Sequence, residues 1–380
     1  MKILQVLQFF SPSFGGTVTT LYDLSKELVK LGHEVTVITT DFKLDHDYVK
    51  SIEKEGVKVI SFKCTFHFAS FLYSPSMKKW LNSNLKDYDI VHMHNFRTYQ
   101  NNITRKYSMK FGIPYVLQAH GSVLPFFQKQ FLKKIYDHLW GNNLLRDSKS
   151  LFALNESEAD QYKKMGGIKT QIEILPNGID LTEFVCLPNR GVLRKKYSIS
   201  DDEKIILFLG RINKIKGIDL LIESFLELSS KFNKIKLIVV GPDDGYQSEL
   251  QKKFKLKNNN IIFTGPLYGE KKLNAFADSD LFVLPSVYET FPVSALESCA
   301  CGVPVILSDA CFITDLIDGK VGLIVDDKES LKNAICEILT SEQLKSSFSK
   351  NAKELAKKFD WGNIALLFVE KYETIIKIKE

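Results

Sequence analysis

Four side chains in the second half of the chain have the types and spacing to hold an anionic, hydroxyl-rich ligand. Arg211 and Lys216 stand in Gly210-Arg211-Ile212-Asn213-Lys214-Ile215-Lys216-Gly217, where the apolar run Ile205–Leu209 gives way to a helical pattern. A guanidinium is a forked donor and an ammonium a compact charge, and together they suit a diphosphate. Glu289 and Glu297 follow in Ser279–Val305, SDLFVLPSVYETFPVSALESCACGVPV. Leu281–Leu284 reads as a buried strand, Glu289 lies in the loop at its exit, and Glu297 falls early on the next helix. The two carboxylates can therefore face one crevice. Open α/β sheets hold ligands outside the carboxyl ends of their strands, beside helix N-termini that attract phosphate. Amides around Phe291–Ser294 can meet an anion while the carboxylates accept from hydroxyls. A ligand with both a diphosphate and many hydroxyls is a nucleotide sugar.

Taken bare, a pair of glutamates among 45 acidic residues is a weak signal, and a Lys-rich turn is ordinarily a solvated loop. Position at a strand exit is what separates these residues from that background, and Lys214 has nothing to separate it. In the first half, Phe14-Gly15-Gly16-Thr17 follows the strand Ile3–Phe9, and two glycines let backbone approach a ligand closely. His120, in Gln118-Ala119-His120-Gly121-Ser122, ends the strand Tyr115–Ala119. A lone histidine is more often a satisfied structural residue, but a strand's carboxyl end favours a role at a ligand. His92 and His94 share one face of the strand Ile90–His94. Without a third histidine or a carboxylate nearby in sequence, they line a site rather than ligate a metal. Asp45/Asp47, Asp87/Asp89 and Asp278/Asp280 form Asp-x-Asp triplets. The last two stand at helix-to-strand turns and the first in a polar loop, so all read as turn residues.

What must position these groups is an alternation of strands and amphipathic helices, the pattern of parallel sheets covered on both faces. After the first strand come Val35–Thr39, Val57–Phe62, Ile90–His94, Tyr115–Ala119, Leu151–Leu154 and Ile172–Leu175. Helices such as Thr19–Leu31 lie between them, with Leu21, Leu24, Leu28 and Leu31 at helical spacing. The pattern restarts at Ile205–Leu209 and runs through Leu237–Val240, Ile261–Phe263, Leu281–Leu284, Val305–Leu307 and Leu323–Val325. Two doubly wound α/β domains follow, divided within residues 178–203, where Asn177-Gly178, Pro188-Asn189 and Gly191 mark turns. A last helix spans roughly Ile364–Lys377.

The 380 residues are 44% hydrophobic and 25% charged, an ordinary soluble globular composition. No apolar run reaches the about 18 residues that span a bilayer. Gln5 and Gln8 interrupt the N-terminal apolar stretch, so it reads as a strand rather than a signal peptide. Six scattered cysteines fit reduced, mostly buried thiols, and Cys299-Ala-Cys301 lacks a second ligand pair for a metal. The net charge of +6 suits an anionic substrate or membrane face, and no nucleic-acid motif accompanies it.

Leu284-Pro285-Ser286, Glu289-Thr290-Phe291-Pro292, Glu297 and Gly302-Val303-Pro304-Val305 stand in an order that resembles the retaining glycosyltransferases of family 4. The resemblance covers essentially the whole chain and is strongest over residues 205–326. It implies a GT-B fold of two Rossmann-like domains facing a cleft: 1–190 on the acceptor side, 191–362 binding the donor, and 363–380 a helix crossing back to the first. It implies a hexosyl-type sugar moved from a nucleotide diphosphate sugar with retention, to a glycan or lipid-linked glycan acceptor in cell-surface polysaccharide or glycoconjugate synthesis. His120, Glu289, Arg211 and Lys216 are the implied catalytic residues. Donor contacts are implied for Gly15, Gly16, Arg211, Lys216, Gly265 and Leu267, and for Glu289, Thr290, Phe291, Pro292, Val293 and Glu297. His92 and His94 then line the acceptor side. Many relatives have a shorter turn than Gly241-Pro242-Asp243-Asp244-Gly245, so no role is carried over there.

No metal and no cofactor are expected, since Arg211, Lys216 and a helix dipole can neutralise the diphosphate. The competing readings are a nucleotide-sugar epimerase, a phosphorylase, for which no pyridoxal-phosphate lysine context exists, and a non-catalytic nucleotide-sugar-binding protein. The expected setting is cytoplasmic. Pro125–Tyr136 adds a second expectation, a peripheral contact with the inner face of the cytoplasmic membrane. On a helix, Phe127, Phe131 and Ile135 share one face and Lys129 and Lys133 another, as in helices that lie on anionic bilayers. The alternative there is that the aromatics pack on the sheet.

Overall fold

The computed structural model describes residues 1–68, 71–124, 130–255 and 260–377. The chain forms two compact units, Met1–Gly178 with Trp361–Glu380, and Ile179–Asp360.

The first unit is built on β1 (Lys2–Val6), β2 (Glu34–Thr40), β3 (Lys58–Phe62), a hairpin of β4 (Phe66–Phe68) and β5 (Phe71–Tyr73), then β6 (Ile90–His94), β7 (Tyr115–Gln118), β8 (Ser150–Ala153) and β9 (Ile172–Ile174). Seven of these strands form one parallel sheet in the order β3-β2-β1-β6-β7-β8-β9. Its strands alternate faces between two apolar cores, as a sheet buried on both sides requires. Leu4, Val91, Met93 and Leu117 join one core. Ile3, Val37 and Val116 join the other, with Leu21, Leu24 and Leu28 of the helix Gly16–Lys30. The terminal helix Trp361–Lys377 packs into that second core through Trp361, Ile364, Phe368 and Tyr372. A Cβ on Gly178 would sit 2.6 Å from the Trp361 ring, so only glycine lets the chain leave beside that indole.

β1 ends before Phe9, where the sequence had carried the strand, because Phe9 turns out to stack on Phe14 at 4.0 Å. The β4–β5 hairpin was not foreseen. Its phenylalanines read as loop because the apolar stretch is too short to show a period.

The second unit holds β10 (Lys204–Leu209), β11 (Ile235–Val240), β12 (Ile261–Gly265), β13 (Leu281–Leu284), β14 (Val305–Ser308) and β15 (Gly322–Val325). They form a parallel sheet in the order β12-β11-β10-β13-β14-β15. Residues 179–190, grouped with the first domain in the sequence reading, belong here. Ile179 bridges to Asp360, and Phe184 is buried beneath Lys272. The terminal helix likewise begins at Trp361 rather than 363. Strand order reverses direction between β1 and β6 in one sheet and between β10 and β13 in the other. Such switch points are where open α/β sheets leave a crevice for a ligand.

Candidate active site

In the second unit the switch point carries two lysine–glutamate pairs. The loop after β10 passes close under the loop after β13: the Val287 amide donates to the Ile215 carbonyl at 2.7 Å. Gly217 (φ +64°) makes this possible, since a Cβ there would run into the Pro285 carbonyl. The same approach brings Lys216 Nζ onto Glu289 Oε2, with side chains 19% and 17% exposed. Glu289 is held from behind by the loop after β14. Its amide donates to the Ala310 carbonyl (3.0 Å), and its carbonyl accepts from Phe312 (3.1 Å).

Glu297, on the helix Val293–Ala300, accepts from Lys272 Nζ at 2.7 Å. Lys272 also lies 3.5 Å from Glu183 and 5.7 Å from the centre of the Phe184 ring. Burial disfavours its ammonium, but Glu297 and Glu183 outweigh burial and raise its pKa. The sequence reading missed Lys272. It stands in the first turn of the helix Glu270–Asp278, just past the exit of β12, and the strand-exit argument used for Lys216 would have reached it.

The remaining expected donor residues surround these pairs. Arg211 is half exposed, its NH1 3.4 Å from Asp244. Val293 opens its helix with no side-chain cap, which leaves first-turn amides for an anion. Thr290 and Phe291 are buried, and Phe291 packs on Phe359, with ring centres 5.9 Å apart. Pro292 is buried as the N-cap of that helix. Gly265 closes β12 with its carbonyl accepting from Gly241, and Leu267 follows half-buried. Lys214 pairs at the surface with Glu249.

Asp278 and Asp280 do more than turn the chain. Asp278 accepts from the amides of Gly191 (2.5 Å) and Leu193 (2.7 Å). Asp280 accepts from the Ile205 amide (2.9 Å) and Lys345 (2.7 Å). Burial opposes the Asp280 charge, yet Lys345 and the Ile205 amide hold its pKa below the ordinary carboxylate value. Asp45 caps the helix His46–Lys54. Among the described residues, no three His, Cys, Asp or Glu side chains are grouped to hold a metal ion.

In the first unit, Gly15 and Gly16 follow the turn Pro12–Phe14 and open the helix Gly16–Lys30. His120, just past β7, has φ +51°. Its Nε2 lies 2.8 Å from His94 Nδ1, and His94 Nε2 lies 2.6 Å from Gln5 Oε1. His92 Nδ1 lies 2.7 Å from the Tyr372 hydroxyl. Burial pushes His120 down to about 3 and His92 and His94 well below the ordinary imidazole value. All three rings are therefore neutral.

Glu158, also missed from sequence, fixes the His120 loop. Its carboxylate accepts from the Gly121 amide (2.6 Å) and the Leu154 amide (2.8 Å), and burial pushes its pKa up to about 7. Nothing local marks it, because Glu158 reads as one more acid in the first turn of a helix.

Of the stretch expected at a membrane, Phe127 and Lys129 lie outside the described residues. The helix Gln130–Tyr136 leaves Phe131 75% exposed, with Leu132 and Ile135 also exposed, so these side chains do not pack on the sheet. Among the described residues no helix is long and apolar enough to cross a membrane.

Comparison with known proteins agrees with this architecture. The family model for glycosyl transferases group 1 matches residues 189–355, and that for Glycosyltransferase Family 4 matches residues 14–183. A glycosyltransferase of Methanocaldococcus jannaschii is 26% identical over 100% of this chain and 99% of its own. A phosphatidyl-myo-inositol mannosyltransferase of Mycolicibacterium smegmatis is 24% identical over 99% and 94%. The crystal structure of Anabaena HepE in complex with UDP and glucose superposes with a TM-score of 0.80 at 20% identity, covering 98% of this chain and 100% of that one.

Proposed function

This chain belongs to the family 4, group 1 glycosyltransferases of the GT-B fold, and on that premise we propose that it moves a hexosyl sugar from a nucleotide diphosphate donor to a glycan or lipid-linked glycan, with retention and without a metal ion. The observation that carries this reading is the pairing of Lys216 with Glu289 and of Lys272 with Glu297 around one switch point. Each pair holds a cation for phosphate next to an acceptor for hydroxyls, and a nucleotide sugar supplies both.

In this reading the diphosphate lies against Arg211, Lys216 and the amides that open the helix Val293–Ala300. Glu289 accepts from the sugar hydroxyls and Glu297 from the ribose. The Gly15-Gly16 loop and His120 are the first unit's own candidate ligand contacts. The bond from the anomeric carbon to the diphosphate breaks as the acceptor oxygen bonds the same face. The acceptor's proton leaves with the nucleoside diphosphate, whose charge Arg211 and Lys216 stabilise. Donors aimed where charge develops do most of their work in the transition state. The M. smegmatis relative, named for a phosphatidylinositol substrate, supports a lipid-linked acceptor. The exposed Phe131, Leu132 and Ile135 beside Lys133 and Lys134 support an anionic bilayer contact.

The test is a panel of UDP-, GDP- and ADP-sugars assayed for transfer and hydrolysis, beginning with UDP-glucose, and repeated in EDTA. Turnover in EDTA with an anomer-retained product is the expected result. Binding without turnover on any donor would leave a non-catalytic sugar-nucleotide binder. Activity lost in EDTA and restored by Mn²⁺ would overturn the metal-free mechanism.

A further inference from the structure

The His120 imidazole is hydrogen-bonded on one side only. Its Nε2 meets His94, while its Nδ1 is out of solvent with no partner among the described residues. Gln5 lies on β1, His94 at the end of β6 and His120 just past β7, and these strands are neighbours. The hydrogen-bonded chain thus runs straight across the sheet, with the His94 and His120 rings within 13° of parallel.

A neutral imidazole has one donor and one acceptor nitrogen, so each link dictates the next. If Gln5 turns its carbonyl to His94, then His94 carries its proton on Nε2 and its Nδ1 accepts from His120 Nε2–H. His120 Nδ1 is then a bare lone pair. If the amide is reversed, every proton moves over by one nitrogen, and His120 Nδ1 becomes a buried N–H with nothing to receive it. The structure sets Gln5 Oε1, not its amide nitrogen, against His94 Nε2, which is the first arrangement.

We propose that Gln5 and His94 are positioning residues that lock His120 in its Nε2–H tautomer and so reserve Nδ1 to accept from a hydroxyl of the bound sugar or acceptor. The proposal rests on the reading of His120 as a site residue and adds what sets its hydrogen-bonding sense. The orienting group is a neutral amide, not a carboxylate, so no opposite charge draws a proton onto either ring. An orienting residue that presents the wrong tautomer disables an imidazole even when geometry is kept.

Long-range ¹H–¹⁵N correlation spectra of the full chain labelled at histidine read the tautomer directly. In the wild type His120 should show a bare Nδ1 and a protonated Nε2. Gln5→Met, near-isosteric but without the acceptor, should mix the two tautomers and lower kcat about tenfold or more. Its KM for the donor should stay within about twofold, because the donor's charged contacts lie in the other unit. A proton found on His120 Nδ1 in the wild type would overturn the proposal without any variant. Gln5→Met with unchanged tautomer and turnover, beside an inactive His120→Ala, would sink the positioning role alone. His120→Ala at full turnover would remove His120 from the site, and the proposal with it.

Discussion

The two sheets have the same kind of strand order and present their candidate residues at the same topological place, yet the chemistry there is opposite. Between β10 and β13 the crevice is lined with ions in pairs: Lys216 with Glu289, and Lys272 with Glu297. Between β1, β6 and β7 the buried strand ends carry neutral groups, Gln5, His94 and His120, while His92 does not line a crevice as expected but lies in the core against Phe152, Phe368 and Tyr372. Burial accounts for the difference. The paired side chains keep between 15% and 19% of their surface, enough contact with water to keep charge, whereas His92 and His94 have none. A fully buried group must be neutral or matched, and the first unit takes the neutral solution. The candidate residues of one unit are thus charged and those of the other neutral.

The largest effect should come from breaking the charged side. Lys216→Ala should lower kcat by about 10²–10³-fold, the usual loss when a donor to a developing charge is removed. It also leaves Glu289 unpaired beside the diphosphate. The Lys216→Ala/Glu289→Ala double variant should therefore bind free nucleoside diphosphate more tightly than Lys216→Ala does, and calorimetry on the two decides it. Equal affinities would mean that the pair is not at the phosphate. Arg211→Ala should cost less, because its guanidinium is already half in water.

Breaking the neutral side calls for pH. Glu158 has a folded pKa raised from 4.5 to about 7 by burial. Its contribution to stability is therefore fully present below about pH 4.5 and is lost as pH rises through 7. A shift of this size corresponds to about 3 kcal/mol. The first unit should accordingly weaken between about pH 4.5 and 7, and the slope should flatten in Glu158→Gln. Amide exchange resolved by unit is the measurement, and equal slopes in wild type and variant would refute the assignment.

The sequence reading reached the charged side far more completely than the neutral one, for a physical reason. Arg211, Lys216, Glu289 and Glu297 sit in loops and first turns directly after buried strands, where residue type and position alone announce a ligand. Strand cores such as Ile90–His94 and Leu281–Leu284 matched their observed bounds, because runs buried on both faces are continuous in sequence. Gln5, by contrast, looked only like a polar break in an apolar stretch. Its link to His94 depends on strand order, which no local pattern carries. Phe291 was counted among the donor residues, yet its ring is used against Phe359, so its backbone is what a ligand could meet. The β4–β5 hairpin is local but too short to show a period, and Lys272 follows a strand exit as Lys216 does.

Within the charged side, Glu289 and Glu297 should part company. A ribose hydroxyl that loses a buried acceptor costs about 1–3 kcal/mol, so Glu297→Ala should weaken binding of the free nucleotide by that much. Glu289→Ala should leave nucleotide affinity near wild type and impair sugar transfer. Glu289→Ala also removes the carboxylate paired with Lys216, whereas Lys272 keeps Glu183 at 3.5 Å after Glu297→Ala. The freed Lys216 could even tighten the diphosphate. Equal losses in nucleotide affinity would erase the division between ribose and sugar.

The smallest expected effect concerns apolar surface, where the units differ again. Large exposed side chains in the second unit, such as Phe232, Tyr268 and Val287, are separated in sequence and belong to different loops. In the first unit Phe66, Phe68, Phe131, Leu132, Ile135, Leu139 and Trp140 are exposed on two segments. Both segments are tied to the helix Tyr99–Phe111: Tyr73 packs on Tyr99 with ring centres 4.9 Å apart, and Asn102 donates to the Tyr136 hydroxyl at 2.6 Å. Exposed aromatics flanked by Lys133 and Lys134 suit an anionic bilayer surface, to which each lysine adds about 1 kcal/mol. Wild type should co-sediment with anionic vesicles at low salt, and Lys133→Glu/Lys134→Glu should sediment several-fold less. Phe131→Ser/Leu132→Ser should reduce binding at high salt as well, since screening spares the apolar contribution. If all three proteins stay in the supernatant, the exposed aromatics do not meet lipid, and a soluble glycan becomes the acceptor that the first unit is built to receive.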